Sequence, residues 1–267
     1  NTYLREADWY SWTGIMHRNT HTRAVKEMQA LLASTSNYAI WDDHDFGPNN
    51  SDRTFRDKDL TLRAFKLFWG NPSYGLPDVK GGTTSMFSRG DADFFMLDNR
   101  YFRDPNNKRT GKRSILGKEQ LDWFIDALIS SNATFKFVMI GGQVVNTVDR
   151  FENYAAIAPE ERSYILNAIA RESIKNVIFL SGDRHHSELS KVEKDGITIY
   201  DFTVSPLTSG PHNAEDEPNA LRVKGSQVGI RNYGIMDISG PRKERKLKFS
   251  LFDQSGKELW SMDINAE

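Results

Sequence analysis

The sequence predicts an α/β protein whose mainly parallel sheet is followed by antiparallel strands. Up to about residue 186, short apolar runs alternate with amphipathic helical segments, which is the pattern of parallel strands joined by crossovers. One apolar run, residues 177–180, leads into Gly-Asp-Arg-His-His at residues 182–186. Beyond this point, short alternating strands are separated by turns such as Lys-Asp-Gly at residues 194–196.

We therefore expect a single domain over residues 1–267. Its parallel α/β part spans about residues 1–186, and a mostly antiparallel second sheet spans about residues 187–267. Within the first part, apolar spacing and turn residues predict individual elements. The expected helices are 22–32, 54–69, 117–130 and 159–172, and the expected strands are 38–41, 83–88, 93–97, 135–140 and 176–181.

Composition limits the possible chemistry. The chain has 35 Lys and Arg against 36 Asp and Glu, and the resulting net charge of -1 argues against a generic nucleic-acid-binding surface. It has no Cys, so any metal must be held by oxygen and nitrogen ligands, which favours Fe, Mn, Mg, Ca or Zn. No specific protein or nucleic-acid partner is indicated, and no apolar run approaches the ~18 residues of a membrane span.

Two polar segments carry the expected chemistry. Residues 182–186 follow a buried strand, and the carboxyl ends of strands are where α/β proteins build their sites. Residues 42–52 follow another apolar lead-in and hold four aspartates and a histidine. Like charges this close raise one another's pKa unless protons or a cation neutralise them, so a bound metal ion is the simplest explanation.

Four short motifs occur in a characteristic order. They are Trp-Asp-Asp-His-Asp at 41–45 with Asn-Asn at 49–50, Leu-Asp-Asn-Arg at 97–100, Leu-Gly-Lys-Glu-Gln at 116–120, and Ser-Gly-Asp-Arg-His at 181–185. Together they resemble the alkaline phosphatase D (PhoD-like) branch of the binuclear metallophosphatases, relatives of purple acid phosphatases. The resemblance spans nearly the whole chain.

The resemblance implies a metallophosphatase-like α/β/β/α sandwich of two mixed sheets flanked by helices. It also implies two metal ions, iron with Ca, Mn, Mg or Zn as the second ion, that supply a hydroxide to attack phosphorus. Residues 1–3 are similar to the end of the family's Gly-Asp-x-x-Tyr signature, which makes Tyr3 a candidate iron ligand. We accordingly expect the fold's first strands, and any targeting signal, to lie before Asn1.

The remaining site residues are also assigned by resemblance. Asp43 and Asn49 are expected at the second metal, with Asn50 as the alternative to Asn49, and Asp183 and His185 match the last metal-binding motif. His44 is expected to donate a proton or to contact the oxyanion. Gln143 stands where many relatives have a metal-binding histidine, and this favours a harder, oxygen-preferring ion.

Several polar residues have simpler interpretations. Arg100 is expected either to bind phosphate or to pair with Asp98, and Arg184 either to bind phosphate or to pair with Asp45. His186 is expected to face away from the site, because neighbours on an extended segment point to opposite sides. Three further histidines are interpreted as surface or loop residues, namely His17, His21 and His212.

The predicted function is a metal-dependent phosphoesterase with His44 and Arg100 as catalytic residues, acting on a small-molecule, lipid or polymer phosphoester. By resemblance, an extracytoplasmic location is expected, either periplasmic or secreted. The alternative is a non-catalytic ligand-binding or structural domain that retains the phosphatase scaffold.

Overall fold

The computed structural model describes residues 5–267, which divide into two compact units. The first unit comprises the described residues through Met86 together with Met96–Leu121. The second comprises Phe87–Phe95 and Asp122–Glu267. Each unit has its own buried apolar packing.

Helices are the main regular elements of the first unit. Its helical segments are a short 3-10 helix Asp8–Tyr10, α1 (Trp12–Arg23), α2 (Lys26–Ser34), α3 (Asp43–Phe46) and α4 (Lys58–Phe68). Helix α4 confirms that a helix lies within the predicted range 54–69, although it begins only at Lys58. Its face bearing Leu62 and Phe65 packs against Trp41 and Phe46. The single helix predicted at 22–32 is wrong in its bounds, because α1 ends at Arg23 and Val25 adopts an extended conformation before α2.

The strand predicted at residues 38–41 is also wrong. This segment is irregular, and Asp42, directly before α3, has an extended main chain. The Asn71 side chain takes the place of a neighbouring strand: its Oδ1 accepts from the Ala39 N–H at 3.0 Å and its Nδ2 donates to the Ala39 carbonyl at 2.7 Å. One amide side chain therefore satisfies main-chain groups that a sheet would otherwise pair.

A six-stranded mixed sheet organises the second unit. Its strands are β1 (Ser85–Arg89), β2 (Ala92–Met96), β3 (Phe135–Met139), β4 (Val177–Ser181), β5 (Glu188–Lys194) and β6 (Ile197–Thr203), in the spatial order β1-β2-β3-β4-β6-β5. Strands β3, β4 and β6 are parallel, and β5 is antiparallel to β6. Val177, Ile178 and Phe179 are all buried, as expected for a central strand covered on both faces.

A three-stranded antiparallel sheet packs on the first. It contains β7 (Asn232–Ser239), β8 (Lys246–Asp253) and β9 (Glu258–Asn265), with β8 in the middle. Alternate residues of β8, including Leu247 and Phe249, point inward and join one apolar cluster with Ile178 and Phe202 of the larger sheet. The Phe202 and Phe249 rings lie 4.6 Å apart between centroids. The second unit is therefore a two-sheet sandwich.

The position of β5 and β6 differs from the expectation that residues after 187 form a second sheet. Both strands belong to the larger sheet, and β6 pairs in parallel with β4 through Ile178 and Tyr200. The chain leaves β4, forms β5, turns at residues 195–196 and returns as β6 beside β4. A local hairpin signal shows that two strands pair with each other, but it does not show which sheet they join.

The helices predicted at 117–130 and 159–172 are confirmed as α5 (Lys118–Ser130) and α7 (Pro159–Arg171), with the short α6 (Tyr154–Ile157) before α7. Pro159 occupies the first turn of α7, where its missing N–H costs nothing. Among residues 5–267, no helix has both the length and the apolar character needed to cross a membrane.

Candidate metal centre

Two adjacent aspartates lie buried at the start of α3 in the first unit. Asp42 precedes the helix and Asp43 is its first residue, and both side chains are largely removed from solvent. The segment is fixed on its far side, where Phe46 is fully buried and its carbonyl accepts from Thr61 Oγ1 at 2.8 Å. Burying two neighbouring carboxylates is costly unless each is compensated, and the two are compensated differently.

Asp42 is compensated by an arginine. Its Oδ1 accepts from Arg100 Nε, and from Asn99 Nδ2 at 2.8 Å. Burial alone would raise the pKa of Asp42, but the Arg100 charge and these hydrogen bonds hold that pKa below its ordinary value. Asp42 is therefore an ionised structural carboxylate.

Asp43 is compensated mainly by main-chain dipoles. Its carboxylate accepts from the His44 N–H at 2.7 Å and from the Asn50 N–H at 2.9 Å. Burial, followed by the negative charge of Asp42, raises the pKa of Asp43 despite the opposing effects of Arg100, the Asn50 N–H and His44. Its carboxylate is thus the one that a cation would stabilise.

His44 and Asn49 accompany Asp43. The partly buried His44 ring places Nε2 4.0 Å from Asp43 Oδ2 and lies 6.5 Å from the Trp9 ring. Asn49 is exposed in the turn after α3. The next residue, Asn50, has a left-handed φ of 62°, and it is the main chain of Asn50 that reaches Asp43. The turn thereby places both asparagines beside the acidic segment.

Arg100 lies in the interior of the first unit, with 1% of its surface exposed. Besides Asp42, its guanidinium donates to the Ser51 carbonyl at 3.3 Å. Asp98, the ion-pair partner considered from the sequence, instead accepts from the main-chain N–H groups of Arg100 and Tyr101. The arginine is therefore an ion-pair residue in this structure, but its partner is Asp42 rather than Asp98.

In the second unit, the segment after β4 turns sharply. Asp183 and His185 adopt left-handed φ angles of 66° and 56°, whereas Arg184 and His186 between and after them are buried. The prediction that His186 faces away from Asp183 and His185 agrees with its complete burial. Its Nδ1 lies 2.9 Å from the Arg184 carbonyl, so this nitrogen carries the proton and donates.

Main-chain contacts fix His185. Its N–H donates to Ser205 Oγ at 3.1 Å, and its carbonyl accepts from the His212 N–H at 2.7 Å. The Ser209 hydroxyl lies 3.1 Å from Nδ1 of the His185 ring. The loop after β6 thus surrounds the residue that the sequence identifies as a ligand.

Gln143, which stands where many relatives have a metal-binding histidine, is hydrogen-bonded at both ends of its side-chain amide. It is buried in the second unit, where its Nε2 donates to Glu188 Oε1 and to Thr203 Oγ1, both at 2.8 Å. Its Oε1 accepts from Arg184 Nη1 at 3.0 Å. All of these contacts are internal to a buried polar network.

The sequence interpretation missed the centre of this network, Glu188. It is fully buried, its Oε1 accepts from Asn146 and Asn219, and its Oε2 accepts from Arg222. Burial would raise the pKa of Glu188, but His186 and Arg222 lower it to about 2. Only the close spacing to residues 182–186 hinted at its importance, because Gln143, Asn146, Asn219 and Arg222 lie 31 to 45 residues away.

The donors of each segment, taken by itself, are of a chemical type that suits a metal ion. One oxygen of Asp42 and one of Asp43 lie within 4.8 Å of each other. In the first unit the buried Asp43 carboxylate has a raised pKa, a condition that a cation relieves. Carboxylate, amide and imidazole donors without thiolates suit hard and borderline cations. Tyr3, the predicted iron ligand, lies outside the described residues.

The two-sheet sandwich of the second unit is the architecture of a metallophosphatase-like fold. The model of the PhoD-like phosphatase family matches residues 16–249, so the chain belongs to that family. This confirms the family resemblance drawn from the sequence motifs.

Known relatives agree with this assignment. The chain is 26% identical over 242 residues to alkaline phosphatase D of Bacillus subtilis (strain 168), an alignment that covers 74% of this chain and 41% of that protein. The solved structure of PhoD matches with a TM-score of 0.69 and 19% identity, covering 94% of this chain and 60% of that one.

A purple acid phosphatase, PPD1 from yellow lupin (Lupinus luteus) seeds, matches with a TM-score of 0.62 and 11% identity. The match covers 98% of this chain and 45% of that one. The predicted metallophosphatase-like α/β fold is therefore confirmed. The chain spans about two fifths of the length of its curated relative.

Proposed function

We propose that this protein is a metal-dependent phosphoesterase that hydrolyses phosphate mono- or diesters. The observation that carries the proposal is the buried pair Asp42 and Asp43, in which an arginine neutralises the first carboxylate and the second keeps a raised pKa. Membership of the PhoD-like phosphatase family supports the same reaction. A purely structural acidic pair would be expected to have internal cations for both members.

The proposed metal ligands are Asp43 and Asn49 in the first unit and Asp183 and His185 in the second, together with Tyr3. Two cations, iron with Ca, Mn, Mg or Zn, fit this set of oxygen and nitrogen donors. When bound, they would acidify a water molecule and offset the negative charge of the phosphoryl group.

His44 is proposed to move a proton. Its ring is partly buried, and its Nε2 lies 4.0 Å from the Asp43 carboxylate. In hydrolysis, the bond from phosphorus to the leaving oxygen breaks, and that oxygen needs a proton when it departs as an alcohol. His44 would supply this proton from Nε2.

For Arg100, we propose a positioning role. The sequence suggested that it contacts phosphate, but its buried pairing with Asp42 supports a positioning role. By fixing Asp42, it keeps a full negative charge beside Asp43, and its own positive charge offsets only part of the resulting rise in the pKa of Asp43.

The substrate is proposed to be a small-molecule, lipid or polymer phosphoester. The predicted extracytoplasmic location also remains a proposal, and fractionation of producing cells would test it. Recovery of the protein in the cytoplasmic fraction alone would contradict that location.

The central experiment measures hydrolysis of p-nitrophenyl phosphate and bis(p-nitrophenyl) phosphate by the full-length protein before and after metal chelation. We expect chelation to abolish turnover and readdition of metal ions to restore it. The ratio of the two rates distinguishes a monoesterase from a diesterase. Turnover that is indifferent to chelation would rule out the metal-dependent reaction.

A matched pair of variants tests the ligand assignment. Asp183→Asn should lower kcat/KM by at least about 10²-fold, the scale of losing one group that stabilises the transition state. Asp195→Asn is the control, because Asp195 also has a left-handed φ, of 50°, but lies in the exposed turn between β5 and β6. Equal activity in both variants would contradict the assignment, and a folded protein without any turnover would support the binding-domain alternative.

A further inference from the structure

Arg184 lies between two proposed metal ligands, yet its side chain enters the protein interior. Asp183 and His185 have left-handed backbone conformations, which non-glycine residues seldom adopt. Such conformations persist only where the surrounding structure holds them in place. Arg184, with 3% of its side chain exposed, is the residue between them that has strong buried contacts.

The Arg184 guanidinium joins three separate segments of the second unit. Its Nη1 donates to Gln143 Oε1 at 3.0 Å, after β3. Its Nη2 lies 2.7 and 2.6 Å from the two carboxylate oxygens of Glu217, in the loop after β6. The ring of Phe151 lies 4.9 Å below the guanidinium. Charge-assisted hydrogen bonds of this kind are the strongest that side chains form.

Glu217 belongs to the connection at residues 204–231, which contacts His185 directly. Ser205 Oγ accepts from the His185 N–H, and the His212 N–H donates to the His185 carbonyl. His212 Nε2 lies 3.6 Å from Glu217 Oε1. The same connection therefore holds His185 by its main chain and Arg184 by its side chain.

We propose that Arg184 and Glu217 are positioning residues whose ion pair locks residues 204–231 onto the tip after β4 and thereby fixes the backbone of Asp183 and His185. Neither residue touches substrate or metal in this role. The link to metal binding rests on the proposed function, whereas the locking of the backbone does not. Orienting contacts behind metal ligands commonly change metal affinity by about 10–100-fold.

The experiment compares Glu217→Gln with Glu215→Gln in the full-length protein. Both changes remove one negative charge from the same loop, but Glu215 is exposed and Glu217 accepts both hydrogen bonds from Arg184 Nη2. Hydrogen exchange is followed in peptides covering residues 182–187 and 205–217, and Mn²⁺ is titrated into metal-stripped protein. The melting temperature is measured in parallel.

For Glu217→Gln, we expect exchange at residues 182–187 to accelerate at least about tenfold and the Mn²⁺ affinity to fall about 10–100-fold. Glu215→Gln should match the unmodified protein in both measurements. Arg184→Lys keeps the charge but loses the planar fork, so it should shift both in the same direction by less. If Glu217→Gln fails to fold, Arg184→Lys is measured in its place.

Identical exchange at residues 182–187 in the Glu217 and Glu215 variants would overturn the inference. A lower melting temperature of Glu217→Gln with unchanged exchange and affinity would also overturn it, since the ion pair would then serve stability alone. If the unmodified protein binds no Mn²⁺, the manganese arm counts against the proposed function. The exchange measurement then decides the positioning inference by itself.

Discussion

Two segments, residues 42–50 and residues 182–188, each contain a buried carboxylate that is paired with an arginine. They differ in the residues that remain as candidate metal ligands. In the first, Arg100 neutralises Asp42 while the neighbouring Asp43 keeps a raised pKa. In the second, Arg222 neutralises Glu188 and holds its pKa low together with His186.

The difference lies in how the candidate ligand is presented. Asp43 begins a helix and is held by main-chain N–H groups, so its environment is set by local structure and by the charge of Asp42. Asp183 and His185 owe their position to left-handed backbone angles and to anchors that come from distant segments. Asp42 and Glu188 are each paired with an arginine, and the proposed metal ligands Asp43, Asp183 and His185 lie close to them in the sequence.

The largest expected effect comes from Asp42→Asn. The variant removes the carboxylate that pairs with the buried Arg100, and breaking a buried ion pair by removing one partner costs about 3–5 kcal/mol. Urea denaturation at pH 7 measures this change in the free energy of unfolding. A loss below about 1 kcal/mol would show that Arg100 is well compensated by other groups.

Asp43→Asn, the same substitution one residue later, should affect activity rather than stability. Asp43→Asn removes a carboxylate whose pKa is raised by burial and by Asp42, so the free energy of unfolding at pH 7 should stay level or rise. The variant should lose about 10²–10³-fold in kcat/KM, or ~3–4 kcal/mol of transition-state stabilisation. If Asp43→Asn is destabilised as strongly as Asp42→Asn, the distinction between the two carboxylates fails.

Glu188 and Asp201 allow a test by pH within the second unit. The folded-state pKa of Glu188 is lowered to about 2, against about 4.3 in the unfolded chain, so its contribution of ~3 kcal/mol is present above pH ~4.3 and is lost as pH falls towards 2. Burial raises the pKa of Asp201 to about 6, against about 3.9 when unfolded. Its contribution of ~3 kcal/mol is therefore present below pH ~3.9 and is lost as pH rises through 6.

Urea denaturation between pH 2.5 and 7 checks both signs. Glu188→Gln should make the decline in stability below pH ~4.3 shallower, and Asp201→Asn should make the decline between pH ~4 and 6 shallower. The pH dependence, rather than the absolute stability, carries the test, because each substitution also changes hydrogen bonds. Parallel pH profiles for the two variants would contradict the opposite shifts.

The smallest expected effect is at Asn71, whose side chain bonds both main-chain groups of Ala39. Asn71→Ala should lower the free energy of unfolding by about 1–3 kcal/mol, because the Ala39 N–H and carbonyl lose their partners. Thermal and urea denaturation measure the loss. Asn107→Ala is a matched control at an exposed site, and an equal effect there would remove the proposed role of the Asn71 bridge.

Local sequence determined much of this molecule. Three local features predicted individual elements: the apolar run before residue 182, the periodicity of α4 and α5, and Pro159 at the start of α7. Each of them depends only on residues a few positions away. Such signals fix elements because hydrogen bonds in helices and the alternation in strands are short-range. The ordered motifs also sufficed to identify the family, because they keep their order along the chain.

Tertiary structure alone decided which charges are neutralised. Arg100 reaches Asp42 across 58 positions, Arg184 reaches Glu217 across 33, and Gln143 reaches Glu188 across 45. No local pattern encodes these pairs, since a partner is selected by where folding brings two side chains in a medium of low dielectric. The sequence therefore determined where acids and histidines cluster, and the folded chain decided which of them remain available to bind a cation.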